Sequence, residues 1–482
     1  MKNTTSAFLD SPQSWVWGIL SAVFALSLIL SLGSLISRIF CGVQIQQTEC
    51  YMVDRALLFF TGANLYPDPS QGGPYIFTAY PPLYFFLQAL VLKATGGLWL
   101  AGRLLSFSSY LGCGFLLIAW GWNRWGKTRA LATACVFWLS PTWKLWGSIV
   151  RPDTLSLLFH FSAFLLLYGD SMEMKSGKRK SGVLTLAGGF LSAAAVCIKQ
   201  TTISLWFAYL LFALIRKEWG RLRVFVLGAC LPVFLLVVWE QFKTNGYFLK
   251  HTTTWLDTGY DFTLLKYYFL HGFLKEAGWL LPAVVLILVF RPPGLLLRCQ
   301  LLMAGIQLAS LGRNGGAENY TLEFWLYAIL LAAEGCWGGG EKDWEKLKWV
   351  KWAPPFFAMA GYLFLIPIPV VSAPPRETIL EKMEAAKMYE APGSYLCLDM
   401  DLLLMAGKRI EYQPVEFQYL FRKGRWEPRP LLNDIKMKKF NSVEIYDIPE
   451  QYLLPGIVVD EIKKNYHVSL REYGRLWLVP DR

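Results

Sequence analysis

Long apolar segments, separated by short polar stretches, run through the first three quarters of the chain. A helix that crosses a membrane needs about 20 apolar residues, and helices inside a crowded bundle can be somewhat shorter. The pattern therefore predicts a mainly α, polytopic transmembrane bundle over residues 1–372, with about eleven spans. We place these spans near 15–37, 99–121, 129–143, 154–169, 182–198, 201–215, 222–241, 277–290, 294–311, 321–337 and 350–372.

One polar stretch is much longer than the others. It runs from Thr48 to Arg103, directly after the first apolar segment. Structureless loops of this length are uncommon and are usually functional. Within it, the run from Pro81 to Lys93 is apolar but too short to span, and it opens with two prolines that suit a helix start. We expect a long first outer loop that carries a helix lying at the membrane surface.

The pattern changes again at about Ala373, where acidic and basic residues become mixed with short apolar runs. About 110 residues are enough for one small domain. Runs with a period of two predict strands, and runs with a helical period predict helices, so we expect a soluble extracytoplasmic α/β domain over residues 373–482. The predicted strands are Ser394–Leu398, Ser442–Ile448 and Leu476–Val479, and the predicted helices are Glu377–Tyr389, Leu431–Lys438 and Val458–Asn465.

Composition supports a membrane protein. Of the 482 residues 54% are hydrophobic, and the mean hydropathy is +0.35, whereas soluble proteins usually have about 45–50% apolar residues. The formal charge of +12 comes from short loops rather than from one folded face, so it indicates orientation and not nucleic-acid binding. The basic loops are expected in the cytoplasm, with the N-terminus inside and both the first loop and the tail outside. These loops lie at 124–129, 175–180, 216–223, 291–298 and 342–351.

The cysteines and histidines give no metal signature. Nine cysteines and four histidines occur without metal-ligand spacing. Cys41 and Cys50 both lie in the first loop and could pair in an oxidising compartment. The sequence demands no cofactor, although Glu49 with Asp54 or Asp153 could hold a divalent metal weakly.

Ionisable residues near the outer ends of the spans are the first candidates for chemistry, because charge is costly in a bilayer. Several outer turns present one cation each, and a set of cations with a carboxylate suits a reaction that binds a phosphate and removes a proton. Each residue also has an ordinary role: Arg151 and Asp153 could form a local salt bridge, and Lys199 could reach the headgroups. The candidate carboxylates are Glu49, Asp54 and Asp153, and the candidate cations are Arg103, Arg151, Lys199 and Arg313.

The order of the motifs over about residues 15–372 resembles the C-type (GT-C) integral-membrane glycosyltransferases. It is most similar to polyprenyl-phosphate-sugar-dependent mannosyltransferases and to aminoarabinose-transferase-like proteins. The motifs that follow the first carboxylate are Gly-x-x-Leu-Tyr-x-Asp-Pro, Tyr-Pro-Pro-Leu-Tyr, Gly-Arg-Leu-Leu-Ser, Arg-Pro-Asp-Thr-Leu, Lys-Gln-Thr and Glu-Asn-Tyr-x-Leu-Glu-Phe-Trp.

This resemblance implies an inverting transfer of a sugar from a polyprenyl-phosphate donor to a lipid, glycan or protein acceptor, at the outer face of a bacterial inner membrane. Glu49 occupies the second place of the family's Asp-Glu pair and would be the general base. The first place is Thr48, so Asp54 and Asp153 are alternatives for that role.

The same resemblance implies a phosphate site and a groove. The leaving phosphate would move toward Arg151, Lys199, Arg313 or Arg103. The groove for the lipid tail would be formed by the motif residues of the first loop and of the later outer turn. These residues are Tyr66, Tyr80, Pro81, Pro82, Asn319 and Tyr320.

Two other function classes fit the same features. A transporter or flippase of an anionic lipid-linked substrate would use the same outer cations, but transporters more often show repeats and paired broken helices, which this sequence does not display. A non-catalytic membrane scaffold would agree with Thr48 at the first place of the pair.

Overall fold

The computed structural model describes residues 26, 29–175, 182–257, 259–290, 292–337, 373–447, 454–472 and 475–481. The predicted span at 350–372 and most of the first half of the predicted span at 15–37 lie outside these residues.

The described residues between 29 and 337 are mainly helical. Short 3₁₀ segments at Pro69–Gln71, Gln200–Ile203, Leu308–Gly312 and Glu318–Thr321 connect some of them. The helices are α1 (Ile29–Ile39), α2 (Glu49–Phe59), α3 (Pro82–Thr95), α4 (Leu98–Trp122), α5 (Lys127–Leu139), α6 (Pro141–Trp146), α7 (Asp153–Lys175), α8 (Val183–Ile198), α9 (Ser204–Arg216), α10 (Trp219–Lys243), α11 (Tyr247–Thr252), α12 (Phe262–Ala277), α13 (Leu280–Phe290), α14 (Leu295–Gln307) and α15 (Leu322–Trp337).

Four of the described helices are long and apolar enough to cross a membrane. They are α4, α7, α10 and α14 with its 3₁₀ extension to Gly312. A fifth span results if α12 and α13, which meet at 73°, form one bent crossing. The mainly helical, polytopic fold is therefore confirmed, whereas the predicted count of about eleven spans is not.

The first loop contains two helices. Pro82 occupies the first turn of α3, where its missing N–H costs nothing, and Gly96 ends the helix in a left-handed conformation with φ of +66°. The predicted helix from Pro81 is therefore present. The sequence pattern did not predict α2, because the buried positions of this helix include the charged residues Glu49, Asp54 and Arg55.

The C-terminal segment is an α/β fold, as predicted. Its four strands form one mixed sheet in the order β1-β2-β4-β3, in which β1 and β2 are parallel and the other two pairs are antiparallel. The strands are β1 (Ser394–Leu396), β2 (Phe440–Tyr446), β3 (Tyr466–Glu472) and β4 (Arg475–Pro480), and the helices are α16 (Arg376–Ala386), α17 (Met400–Met405), α18 (Pro414–Arg422), α19 (Arg429–Lys436) and α20 (Gly456–Asn465).

The C-terminal segment shares a hydrophobic core with the first loop. Tyr75 exchanges backbone hydrogen bonds with it, donating to the Glu411 carbonyl at 2.7 Å and accepting from the Gln413 N–H at 3.0 Å. The Tyr75 hydroxyl also donates to Asp434 at 3.0 Å. Tyr75 and Phe77 belong to the same apolar cluster as the interior of the sheet. The first loop therefore lies between the helical bundle and residues 373–481, in contact with both.

Candidate active site

Glu49 lies in a fully buried ion pair at the start of α2. Its side chain is 0% exposed, and one oxygen accepts hydrogen bonds from Arg103 Nε at 2.9 Å and from the Val150 N–H at 2.8 Å. The other oxygen accepts from Arg103 Nη2 at 2.8 Å and from the backbone N–H groups of Ile45 and Gln46 at 2.6 and 3.3 Å. Five donors thus occupy the carboxylate, which leaves it poorly placed to take a further proton.

Arg103 uses all of its own hydrogen-bonding capacity in the same cluster. In addition to Glu49 it donates to the carbonyls of Arg38, Cys41 and Val43, at 3.1, 2.6 and 2.7 Å. A guanidinium has five N–H donors, and five are engaged here. This geometry argues against the predicted phosphate-binding role of Arg103 and assigns it to fixing the chain between α1 and α2.

A second charged cluster lies at the adjoining ends of three helices. Asp153 begins α7, and one of its oxygens accepts from the Lys199 ammonium, which follows the end of α8, and from the Asn319 amide at 2.7 Å. Its other oxygen pairs with Arg151 Nε at 3.4 Å. The two clusters adjoin, because the Val150 N–H that binds Glu49 belongs to the residue before Arg151.

Tyrosine and tryptophan rings surround these cations. The guanidinium carbon of Arg151 lies 5.7 Å from the Tyr80 ring centroid and 5.1 Å from that of Trp146. Lys199 Nζ lies 5.2 Å from the Tyr320 ring centroid. Such cation–π contacts hold a cation in place without using its N–H donors.

The cations of the Asp153 cluster have hydrogen-bond donors without an acceptor among the described residues. Neither terminal nitrogen of Arg151 donates to any residue that the structure describes, and the Lys199 ammonium donates only to Asp153 among them. Burial is the largest single effect and lowers the pKa of Lys199, but Asp153, Tyr80 and Tyr320 together outweigh it and raise this pKa above its ordinary value. Both cations therefore stay charged and can bind an anion.

The motif tyrosines shape this site. Tyr66 donates its hydroxyl to the Tyr80 carbonyl at 2.9 Å, which fixes the chain just before Pro81 and Pro82. The Tyr84 hydroxyl, one turn into α3, is buried and bonded to none of the described residues. The structure thus brings together Tyr80, Arg151, Asp153, Lys199, Asn319 and Tyr320 from the predicted set.

Two other predicted residues lie elsewhere. Asp54 pairs with Arg55 and accepts from the Ile410 N–H at 3.4 Å, so it faces the C-terminal segment. Arg313 donates to the Leu256 carbonyl and pairs through its backbone with Tyr260. Neither has a described contact with Asp153, so the predicted common cation face includes Arg151 and Lys199 but not Arg313.

Sequence reasoning missed Glu416, which lies in α18 of the C-terminal segment. Its carboxyl group neighbours the side chains of Tyr51 and Gln413 and lies within electrostatic range of Arg151. Burial raises the pKa of Glu416 to about 7. No spacing in the sequence links this residue to the first loop, because the contact depends on the docking of the C-terminal segment onto α2.

The described residues also bear on the predicted disulfide and on the predicted weak metal site. Cys41 and Cys50 are both free and buried, so the predicted pairing is not present. No group of three or more His, Cys, Asp or Glu side chains within the described ranges is arranged to hold a metal ion. Weak metal binding by Glu49 with Asp54 or Asp153 remains an expectation of the sequence.

The fold of the described residues is similar to that of solved structures with the C-type (GT-C) integral-membrane fold. The chain is similar to ArnT from Cupriavidus metallidurans bound to undecaprenyl phosphate, with a TM-score of 0.61 and 15% identity over 97% of this chain and 98% of that one. The apo form of the same protein gives a TM-score of 0.60.

A second similar structure comes from an archaeon. The oligosaccharyltransferase AglB from Archaeoglobus fulgidus, in complex with an inhibitory peptide and a dolichol-phosphate, gives a TM-score of 0.51 at 11% identity. The alignment covers 98% of this chain and 74% of AglB. The sequence matches no protein-family model and no curated protein.

Proposed function

We propose that the protein transfers a sugar from a polyprenyl-phosphate donor to an acceptor at the outer face of the membrane. The observation that carries this proposal is the pair of cations, Arg151 and Lys199, which retain unused donors beside the first outer loop. The similar structures of ArnT and AglB hold undecaprenyl phosphate and a dolichol-phosphate, which are ligands of the same chemistry.

The two cations suit the leaving group of this reaction. As the acceptor oxygen attacks the anomeric carbon, the bond from that carbon to the phosphate oxygen breaks and negative charge builds on the phosphate. Charged donors fixed in a site with little water stabilise such charge far better than they would in bulk solvent. Asp153 holds both Lys199 and Arg151, and the Asn319 amide orients Asp153, so both cations are in place before the donor lipid binds.

This function implies an orientation. The Asp153 cluster would face the outer side, the loops rich in Lys and Arg would lie in the cytoplasm, and residues 373–482 would be extracytoplasmic. In this assignment Glu49 supports the site through Arg103 and the Val150 N–H, rather than serving as the base.

The proposal is tested by incubating the full-length protein in nanodiscs with a panel of polyprenyl-phosphate sugars and measuring sugar transfer or release. We expect at least one donor to react, and the product undecaprenyl phosphate to compete with it. Arg151→Gln should lower the rate at least tenfold, since a hydrogen bond to a charged group contributes about 1.5–3 kcal/mol.

Lys250→Gln is the matched control, because this exposed lysine of α11 contacts only the Tyr247 ring among the interactions that the structure describes for it. Its activity should equal that of the wild type. Failure of every donor to react, with no binding of undecaprenyl phosphate, would overturn the proposed function and favour a scaffold.

A further inference from the structure

We propose that Glu416, supplied by the C-terminal segment, accepts the acceptor's proton in place of a base from the first outer loop. This proposal rests on the proposed function and deepens it. It answers a question that two observations raise, namely which group could act as the base. The first place of the expected Asp-Glu pair is Thr48, which has no carboxylate, and Glu49 at the second place is closed off by five hydrogen bonds.

The position of Glu416 relative to α2 is the first argument. The Glu416 carboxyl group neighbours the side chain of Tyr51, in the first turn of α2. Thr48 precedes this helix as its N-cap residue. Positions three residues apart lie on the same face of a helix, so Thr48 and Tyr51 share one face. The Glu416 carboxyl group therefore lies over the face from which the missing carboxylate would project.

The unused hydrogen-bonding capacity of Glu416 is the second argument. Its Oε2 atom is buried and has no hydrogen-bond partner among the described residues. A buried polar atom without a partner is unfavourable in a folded protein and indicates a place that a ligand or water fills. Glu49 offers no such atom, since both of its oxygens accept from the protein.

The charges around Glu416 are the third argument. The groups that neighbour it or act on it electrostatically are Tyr51 from α2, Gln413 and Tyr412 from its own segment, and Arg151 from the proposed phosphate site. Burial has the largest effect and raises the pKa of Glu416 to about 7, while Tyr51, Gln413 and Arg151 oppose the rise. A base whose pKa lies near the working pH is the most efficient kind.

The step balances as a single displacement. The ionised Glu416 takes the proton of the acceptor hydroxyl while the acceptor oxygen forms its bond to the anomeric carbon. The bond from that carbon to the donor phosphate breaks, and the phosphate leaves with the electron pair toward Arg151 and Lys199. The protonated Glu416 then loses its proton to solvent. No metal or other co-reactant is required.

The experiment compares Glu416→Gln with wild type, using the donor that reacts best in the panel described above. General base catalysis typically contributes about 10²- to 10⁴-fold, so kcat should fall by that factor. Binding of undecaprenyl phosphate should change less than twofold, because Arg151 and Lys199 are untouched. The acidic limb in the pH dependence of wild-type kcat/KM, with an apparent pKa near 7, should disappear in the variant.

The matched control is Glu411→Gln. Glu411 is a second carboxyl group of the same segment whose pKa burial raises, but its neighbouring charges are Lys439, Arg409, Asp54 and Asp434 rather than Arg151. This control should keep the wild-type rate and the wild-type acidic limb. The wild-type pH profile is itself a test that needs no variant, so misfolding of Glu416→Gln would not protect the proposal.

Two results would overturn the inference while leaving the proposed function intact. One is a Glu416→Gln protein that turns over at the wild-type rate. The other is a wild-type kcat/KM with no limb between pH 6 and 8. A wild-type protein that transfers from no donor and binds no undecaprenyl phosphate would instead remove the proposed function, and this inference with it.

Discussion

Two adjoining clusters of carboxylates and cations differ in how many hydrogen-bond donors have no acceptor among the described residues. In the cluster of Glu49 and Arg103, both side chains are 0% exposed and every N–H of the guanidinium has a protein acceptor. In the cluster of Asp153, Arg151 and Lys199, one carboxylate holds two cations whose remaining donors bond to none of the described residues. The first cluster therefore fixes the fold, and we propose that the second, the open cluster, receives an anion.

The Glu49 and Asp153 clusters show how the role of a buried charge can be inferred. Burial alone does not separate the two clusters, since Asp153 is 1% exposed and Lys199 is 5% exposed. The hydrogen-bond inventory separates them, because a saturated group can bind a ligand only by giving up a partner. Glu416, with one unpartnered oxygen, belongs with the open cluster by this criterion.

The largest effect should come from breaking the saturated pair. Removing one partner of a buried ion pair typically costs about 3–5 kcal/mol, because the other charge remains buried without compensation. Arg103→Met should therefore lower the thermal unfolding temperature strongly or prevent recovery of folded protein. The measurement is thermal unfolding in detergent, with the yield of monodisperse protein as a second readout.

An exposed pair provides the control for this prediction. Lys387 and Glu384 are also oppositely charged neighbours, but their side chains are 60% and 74% exposed. Lys387→Met should leave the unfolding temperature close to that of the wild type, because solvent screens such pairs. An Arg103→Met protein as stable as the Lys387→Met protein would show that the Glu49 cluster does not stabilise the fold.

Breaking the open cluster should affect binding more than stability. Lys199→Gln removes one phosphate donor, but Asp153 retains Asn319 and Arg151 as partners. A charge-assisted hydrogen bond contributes about 1.5–3 kcal/mol, so affinity for undecaprenyl phosphate should fall about 10- to 100-fold. The unfolding temperature should fall less than in Arg103→Met. Unchanged lipid affinity would place the phosphate elsewhere.

The sequence predicted the elements that rest on a local pattern. The apolar run from Pro81, the apolar segments of α4, α7 and α10, and β2 and β4 of the tail were all anticipated, with bounds displaced by a few residues. Strand β3 was not anticipated, although Tyr466, Val468 and Leu470 alternate with polar residues; of its seven residues only Tyr466 is buried. Helix α2 was not anticipated because its buried face carries charged residues.

The site was only partly predictable, for a physical reason. Residue type and position near a span end were enough to nominate Arg151, Asp153 and Lys199, which the adjoining ends of neighbouring helices bring together. Nothing in the sequence distinguishes Glu49, whose lone pairs are all used, from a carboxylate with a free one. Glu416 required knowledge of which segment docks on α2, and that depends on long-range packing such as the pairing of Tyr75 with Glu411 and Gln413.

A third prediction uses pH to test whether complete hydrogen bonding also stabilises a buried group outside the ion pairs. His251 in α11 is buried, with Nδ1 accepting from the Thr78 N–H at 2.9 Å and Nε2 donating to the Pro67 carbonyl at 2.9 Å. Burial has the largest effect on this imidazole and lowers the pKa of His251 to about 3. The folded protein therefore binds fewer protons than the unfolded chain between pH 6.5 and about 3. The stability that neutral His251 contributes is complete above pH 6.5 and is lost as the pH falls toward 3.

Protonation would turn the Nδ1 acceptor into a donor facing the Thr78 N–H, and a buried unsatisfied donor costs about 1–3 kcal/mol. His251→Gln can keep both hydrogen bonds through its amide but cannot titrate, so it should lose less stability than wild type between pH 7 and pH 4. His467→Gln, at an exposed histidine paired with Asp481, should follow the wild-type curve. Parallel curves for wild type and His251→Gln would mean that the two hydrogen bonds of this ring do not hold the first loop on α11. Complete hydrogen bonding would then distinguish the two clusters only because both partners in each are charged.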